Sequence, residues 1–241
     1  VHGDRHREGK GIEDLGHPAG GGMGLAEMTG SPNLTVVPDP ATFRVLPWAP
    51  DTGWILCDEY FTSGVPFHFS PRQLLKREIA RLAARGLRMK VGLEVEWYLA
   101  RVVGDRLADE NVSVPGLRGR PIATAPLETG YSYHSETNLD LLQPVLAPLA
   151  AAYQALGLPL RSIEKEYGPG QVECTFNATD ALRAADDYVL FRTATRQVCR
   201  RHGHFATFMA RPALYGHFAS GWHLHQSLAD ARSGANRFVP G

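Results

Sequence analysis

Net charge is the first thing this chain lacks: 25 Lys and Arg residues balance 25 Asp and Glu residues over 241 positions. No basic stripe is present to track a phosphate backbone, so nucleic acid is not an expected partner. Long apolar runs are missing too. None approaches the ~20 residues that span a bilayer, and no membrane role is expected. Cysteine is scarce: Cys57, Cys174 and Cys199 are widely spaced, odd in number and form no C-x-x-C pair. That pattern reads as buried thiols in a reducing, cytoplasmic compartment, with no disulfide framework. Two catalytic signatures are also absent. The Gly168-Pro-Gly170 turn lacks G-x-x-x-x-G-K-[ST] and opens a strand, which excludes Walker-type chemistry, and no local Ser-His-Asp or Cys-His signature appears. Neither an initiator Met nor an apolar leader starts the chain, and it stops just past a Ser-Gly-Ala-Asn turn signal. It reads as a piece of something longer.

What is present is globular in composition, with 44% hydrophobic and 21% charged residues, enough for one large or two modest domains. Residues 1 to about 33 are rich in Gly, His and charge and read as irregular. From Asn33 to Asp58, short apolar runs punctuated by Pro and Asp predict several short strands. A helix start follows, with Ser70 as N-cap, Pro71 at the first position and Gln73 closing a capping box. Leu74, Leu75, Ile79, Leu82 and Ala83 form its stripe and Gly86 its stop. A strand over Val91–Leu99 has a hairpin partner predicted around Arg101–Val103. Residues 104–137 read as long loops near a site. Leu139–Leu156 is helical by spacing, with Pro144 and Pro148 as possible kinks. Gln171–Phe176 alternates as a strand, Thr179 or Asp180 caps a helix through Leu182, Ala185, Val189 and Val198, and a strand over Phe205–Met209 precedes another at Trp222–Leu228. Helices interleaved with hairpin-like strands point to an α+β antiparallel architecture.

Two of these strands carry the chemistry. In Val91–Leu99, the residues Val91, Leu93, Val95, Trp97 and Leu99 alternate with Gly92, Glu94, Glu96 and Tyr98. One set can face a core while both glutamates share the other face, with Cα atoms roughly 6.5–7 Å apart. In Trp222–Leu228, Trp222, Leu224 and Leu228 go one way and His223, His225 and Ser227 the other. Glu166 and Glu173 repeat the acidic theme around the Gly-Pro-Gly turn. Oxygen ligands in this number favour Mg²⁺ or Mn²⁺ over Zn²⁺, with His223 as one tolerated imidazole. Taken singly, each has a plainer alternative: a solvated strand face for Glu94 and Glu96, a hydrogen-bonded structural histidine for His225, and a zinc site for the His-x-His pair.

In order along the chain, the strings Pro38–Trp48, Ser70-Pro-Arg72, Gly92-Leu-Glu94-Val-Glu96, Glu166-Tyr-Gly-Pro-Gly-Gln171-Val-Glu173, His202–Met209 and Ser220-Gly-Trp-His223-Leu-His225-Gln-Ser227 resemble the bacterial-type glutamine synthetase family from about Gly30 onward. The resemblance implies a curved antiparallel sheet flanked by helices. It assigns residues 1–47 to an irregular segment and partial N-terminal β-grasp-like domain, and 48–241 to the N-terminal part of the catalytic domain. It implies ATP-dependent γ-glutamyl amide formation from glutamate and ammonia through a γ-glutamyl phosphate, or from a larger amine such as a polyamine or methylamine. A non-catalytic metal-binding relative is a third alternative. By the same resemblance Glu96, Glu166 and Glu173 hold one Mg²⁺ or Mn²⁺, Glu94 and His223 a second, and His225 and Ser227 lie beside ATP. Glu96, Ala219 and His223 contact glutamate, and the full-length protein is a ring-shaped homo-oligomer, a dodecamer. Two departures bear on the substrates: Arg211 stands where the family usually has lysine, and Phe218-Ala219 where its main enzymes have Asn-Gly.

Overall fold

The computed structural model describes residues 33–104 and 107–239. The irregular stretch expected before Asn33 therefore lies almost entirely outside the described residues. Among the described residues, eleven strands and three α-helices follow one another in mixed order. The Asn33–Asp58 region yields β1 (Leu34–Pro38), β2 (Arg44–Leu46), β3 (Ala49–Trp54) and β4 (Cys57–Phe61), paired β1 with β4 and β2 with β3.

The rest is organised by one long strand, β5 (Leu87–Val102), whose alternating Val91, Leu93, Val95, Trp97 and Leu99 are buried. On one edge it pairs with β6 (Thr124–Ala125), β8 (Gln171–Phe176) and β9 (Thr179–Asp180), and β7 (Leu160–Lys165) extends the sheet beyond β8. On the other edge β10 (His204–Thr207) and β11 (Trp222–Asp230) lie end to end. Thr207 pairs with Tyr98 and Trp222 with Val95, so the chain between them leaves β5 and returns to it almost at the same point. Every pairing is antiparallel and seven strands share the main sheet. Helices α2 (Glu136–Ala155) and α3 (Ala181–Arg201) cover the apolar face with Leu142, Leu146, Leu149, Leu190, Phe191 and Val198, while α1 (Pro71–Ala83) packs alongside. Apolar burial of this kind, ~25 cal/mol per Å², is what holds the layers together and leaves the opposite face free for polar groups.

Several sequence expectations are corrected. Arg101 and Val102 continue β5 itself; no hairpin turn precedes them, because both are paired onward, Arg101 with His204 on one edge and Ala125 on the other and Val102 with Thr124. The capping box does not close: the Ser70 side chain makes no cap hydrogen bond, and Gln73 Nε2 donates to the Glu59 carbonyl at 3.3 Å. Asp180 starts α3 without a side-chain cap, since its carboxylate is drawn to Arg88 and Lys90 at 3.0 Å each. Leu74 and Val189 are exposed, and the buried stripe of α3 runs instead through Ala184, Leu190, Phe191 and Ala194. Pro144 and Pro148 both lie inside α2, which continues past them. Cys174 and Cys199 are buried free thiols, each pushed up to about 12 by burial, whereas Cys57 is only half-buried.

Arg72 at the start of α1 joins the two regions. Its guanidinium reaches Asp39 at 2.6 Å, Asp58 at 2.5 Å and Asp186 at 2.9 Å, tying the residue after β1, together with β4 and α3, to one side chain. Lys76 Nζ adds a second cation 2.5 Å from Asp58, so the three carboxylates share two cations, and the planar five-donor guanidinium satisfies one oxygen or more of each.

Candidate active site

The polar face of β5 is where the acids meet. Strand register sets Glu94 opposite His223 on one edge and Thr175 on the other, and Glu96 opposite Glu173, which in turn faces Glu164 on β7. Register rather than loop geometry thus fixes these side chains, because strand alternation puts all of them on one surface. His223 Nδ1 lies 3.1 Å from Glu94 Oε2 and 3.8 Å from Glu173 Oε1. One ligand atom each from Glu94, Glu173 and His223 falls within 4.8 Å of the others. His225 Nε2 lies 3.1 Å from Glu94 Oε1, so both histidines flank a single carboxylate. Gln171 Nε2 donates to Glu96 Oε2 at 2.6 Å and to the Ala219 carbonyl at 3.1 Å.

Electrostatics separate these acids. Glu94 is held below its usual range, first by the hydrogen bond from His225 and then, against the cost of burial, by His223. Glu173 is pushed up to about 7 by burial and then by Glu166, Glu94, Glu96 and Glu164. Glu166 is raised by burial and by Glu96. Glu173 Oε1 is buried and has no hydrogen-bond partner. A buried carboxylate oxygen without a donor, surrounded by like charges, is a costly arrangement unless a cation completes it. The donor set is carboxylate oxygen with one imidazole, which fits a hard divalent ion such as Mg²⁺ or Mn²⁺.

Beside this face, Lys90, Gly92, Glu94, Arg161, His225 and Ser227 line a cavity of about 380 Å³. The Ser227 hydroxyl donates to Asn236 Oδ1 at 3.5 Å. Ala219 takes part through its backbone carbonyl, in the loop between β10 and β11.

Three supports of the site were not read from the sequence. Tyr98 was placed on the polar face, but its hydroxyl is the clamp of the β10–β11 loop: it accepts from Phe218 N at 2.7 Å and donates to the Phe218 carbonyl at 2.9 Å. Gly168 N donates to Gln171 Oε1 at 2.8 Å, which orients the amide that holds Glu96. Lys165 and Glu128, both buried, pair at 3.1 Å beneath the Gly-Pro-Gly turn. Lys165 also donates to the carbonyls of Glu166 and, at 2.8 Å, Gly168, while Glu128 accepts from the backbone N–H groups of Gly130 and Gly170 at 2.5 Å. The only advance signal was the Gly-Pro-Gly turn itself, since Glu128 sits in aperiodic sequence.

A family model for the glutamine synthetase catalytic domain matches residues 68–240. A γ-glutamylanilide synthase from an Acinetobacter species is 44% identical over 226 residues, covering 92% of this chain and 45% of that protein. A glutamate–isopropylamine ligase from a Pseudomonas species is 32% identical over 206 residues, covering 84% and 42%. Among solved structures, ligand-free GmaS superposes with a TM-score of 0.70 at 28% identity, covering 86% of this chain and 45% of the other. The chain thus spans rather less than half the length of the curated relatives it matches.

Proposed function

We propose, since this chain belongs to the glutamine synthetase family, that it supplies the cation-binding part of an ATP-dependent ligase joining the γ-carboxyl group of glutamate to an amine. The observation that carries this is the meeting of Glu94, Glu96, Glu173, His223 and His225 on one sheet face, with an unpartnered carboxylate oxygen at its centre. In this reading Glu96, Glu166 and Glu173 hold one divalent cation and Glu94 and His223 a second. When bound, these ions neutralise charge on the transferring phosphoryl group and on the glutamate carboxylate. The protein's own residues do the rest by placement. Gln171 fixes the Glu96 carboxylate, the Lys165–Glu128 pair holds the turn that presents Glu166, and the Tyr98 hydroxyl sets Phe218 and Ala219 against the glutamate pocket. ATP, with His225 and Ser227 beside it, phosphorylates the γ-carboxylate; the amine then displaces phosphate from the acyl phosphate. An unactivated carboxylate would have to expel oxide, whereas the acyl phosphate expels a stable anion.

For the acceptor we favour an organic primary amine over ammonia. The relatives at 44% and 32% identity bear the names of a γ-glutamylanilide synthase and a glutamate–isopropylamine ligase, and Phe218-Ala219 replaces the Asn-Gly of the family's main enzymes. Ammonia is the second reading, favoured by the family's name. A ring-shaped homo-oligomer of the full-length chain belongs to the same proposal. The test is phosphate release by the full-length protein with glutamate, ATP and Mg²⁺ or Mn²⁺, across ammonium, isopropylamine and aniline. Glutamate- and amine-dependent release with mass-spectrometric detection of the amide is expected. Absence of turnover with every amine would refute the ligase reading, and turnover with ammonium alone would replace the organic acceptor.

A further inference from the structure

Three aromatic side chains beside the acidic face have no part in the core, although each comes from a different segment. Tyr133 lies in the loop before α2, Tyr167 in the Gly-Pro-Gly turn and Phe218 in the β10–β11 loop. Their rings make a continuous row. Tyr133 and Tyr167 stack at 5.1 Å between centroids and 12° between planes, and Tyr167 and Phe218 lie 6.1 Å apart at 49°. Aromatic pairs prefer centroid separations of about 4.5–7 Å in offset or tilted arrangements. Yet they stay open to solvent, at 54%, 48% and 42% exposure respectively. Apolar surface left exposed in a contiguous group, while the chain spends much to hold it in place, points to a ligand.

The holding is specific. Tyr131 N donates to the Tyr167 carbonyl at 2.6 Å and His134 N to the Lys165 carbonyl at 3.0 Å, so the Tyr133 loop lies along the turn that carries Glu166. Tyr131 and His134 have φ of 51° and 53°, the only non-glycine residues in the left-handed region among the described residues. Each such conformation is strained for a residue with a Cβ, and the segment between them is the one that presents Tyr133. Underneath, the buried Lys165–Glu128 pair ties the two segments together, and the Tyr98 hydroxyl fixes Phe218 by both its N–H and its carbonyl. His134 Nε2 meets Glu164 Oε2 at 3.1 Å, which completes the border between aromatic row and acidic face.

We propose that Tyr133, Tyr167 and Phe218 form the acceptor subsite, an aromatic shelf that takes the ring of an arylamine with its nitrogen toward the Glu166 side. The inference rests on the organic-amine reading above. Carboxylates alone attract an ammonium ion, but an arylamine is uncharged near neutral pH and lacks that charge attraction, keeping only hydrogen bonds from its N–H groups. It needs a flat apolar surface beside the reacting group, and the shelf is one. An alkylamine makes fewer ring contacts there, so the shelf sorts acceptors by their planarity.

The test is steady-state kinetics of the full-length protein with saturating glutamate and ATP, comparing aniline with isopropylamine. Tyr167→Ala and Phe218→Ala should each lower the aniline-to-isopropylamine ratio of kcat/KM by about tenfold, chiefly through a raised KM for aniline. Tyr167→Phe keeps the ring and should stay within about twofold of the parent, and Tyr215→Ala, a fully exposed tyrosine outside the shelf, should leave the ratio unchanged. A parent that forms the anilide, with the ratio unmoved in both alanine variants, would overturn the shelf alone. A parent that uses ammonium only would overturn the organic acceptor and the shelf with it. Tyr98→Phe gives a further arm that keeps every shelf ring but releases the Phe218 backbone; it also loses the 3.0 Å contact to Gln171 Oε1, so the readout is the acceptor ratio and not kcat. It should lower the same ratio, and an unchanged ratio with both alanine variants also silent leaves no role for the row.

Discussion

Glu173→Gln should make the metal-free protein more stable, by an amount that grows as pH rises from 4.5 to 7 and is complete above that. The Glu173 carboxyl is buried, its Oε1 lacks a donor, and it titrates near 7 in the folded chain against an ordinary value of 4.5. Below pH 4.5 it is protonated in both folded and unfolded states and costs nothing. Between pH 4.5 and 7 the folded protein keeps a proton that the unfolded chain releases, so stability falls as pH rises. Above 7 it is ionised in both states and the cost is complete. At 1.36 kcal/mol per unit this is on the order of 3 kcal/mol. Glutamine has the same shape and no charge, so it removes the cost. For a chain of this size that corresponds to a rise in Tm of roughly 6–12 °C at pH 8, with almost no difference at pH 4.5. Adding Mg²⁺ or Mn²⁺ should invert the order: the parent gains by binding and the variant, short of one ligand, gains less. Differential scanning fluorimetry with EDTA and then with metal, at both pH values, reads all four quantities. A variant no more stable than its parent at pH 8 in EDTA, or equal metal stabilisation of both, would refute the account of Glu173 as an acid waiting for a cation.

Other outcomes follow from the same geometry. In the full-length protein Glu96→Ala should raise the metal concentration needed for activity and lower kcat, whereas Glu59→Ala, an acid on β4 outside the site, should give the parent's metal titration curve; superimposable curves for the two would remove Glu96 from the site. Lys165→Met should cost about 3–5 kcal/mol, because Glu128 is left buried and charged, and adding Glu128→Gln should restore part of it. Chemical denaturation of the single and double variants measures this, and a double variant as unstable as the single would show that the pair does not act as a unit. Arg72→Met should lose a similar amount, since Asp39 and Asp186 then lose their cation and only Asp58 keeps one, Lys76. Proteolysis should become faster in β1–β4 before the main sheet is cut, and uniform cleavage would count against Arg72 as the tie.

The acidic face was readable in advance because strand alternation is a strict code. Once Val91, Leu93, Val95 and Trp97 claim the core, Glu94 and Glu96 have one place to go, and Val172 and Cys174 impose the same choice on Glu173. The α+β antiparallel arrangement followed from the same patterns. Caps were less legible: Ser70 and Asp180 begin helices, but the Ser70 hydroxyl makes no cap hydrogen bond, Gln73 turns to the Glu59 carbonyl, and Arg88 with Lys90 captures Asp180. Competing partners distant in sequence decide such cases. The Lys165–Glu128 pair was invisible for a related reason, since it joins a strand end to an aperiodic loop and no local pattern records a contact made through space. Trp222 was given a side of its strand by periodicity, but not its stack on Tyr188 at 4.7 Å, because β11 sits on the edge of β5 where little covers it.

The end-to-end arrangement of β10 and β11 has a consequence for how this scaffold diversifies. The chain departs from β5 at Tyr98 and rejoins it at Val95, so the excursion from Phe208 to Gly221 hangs from a fixed gate in the sheet. Closing a loop whose ends are already adjacent depends only weakly on its length. Arg211, Phe218 and Ala219 therefore sit on a cassette that can be lengthened, shortened or exchanged while the strands carrying Glu94, Glu96 and His223 keep their register. Selection can rewrite what the loop meets without disturbing the carboxylates beneath it.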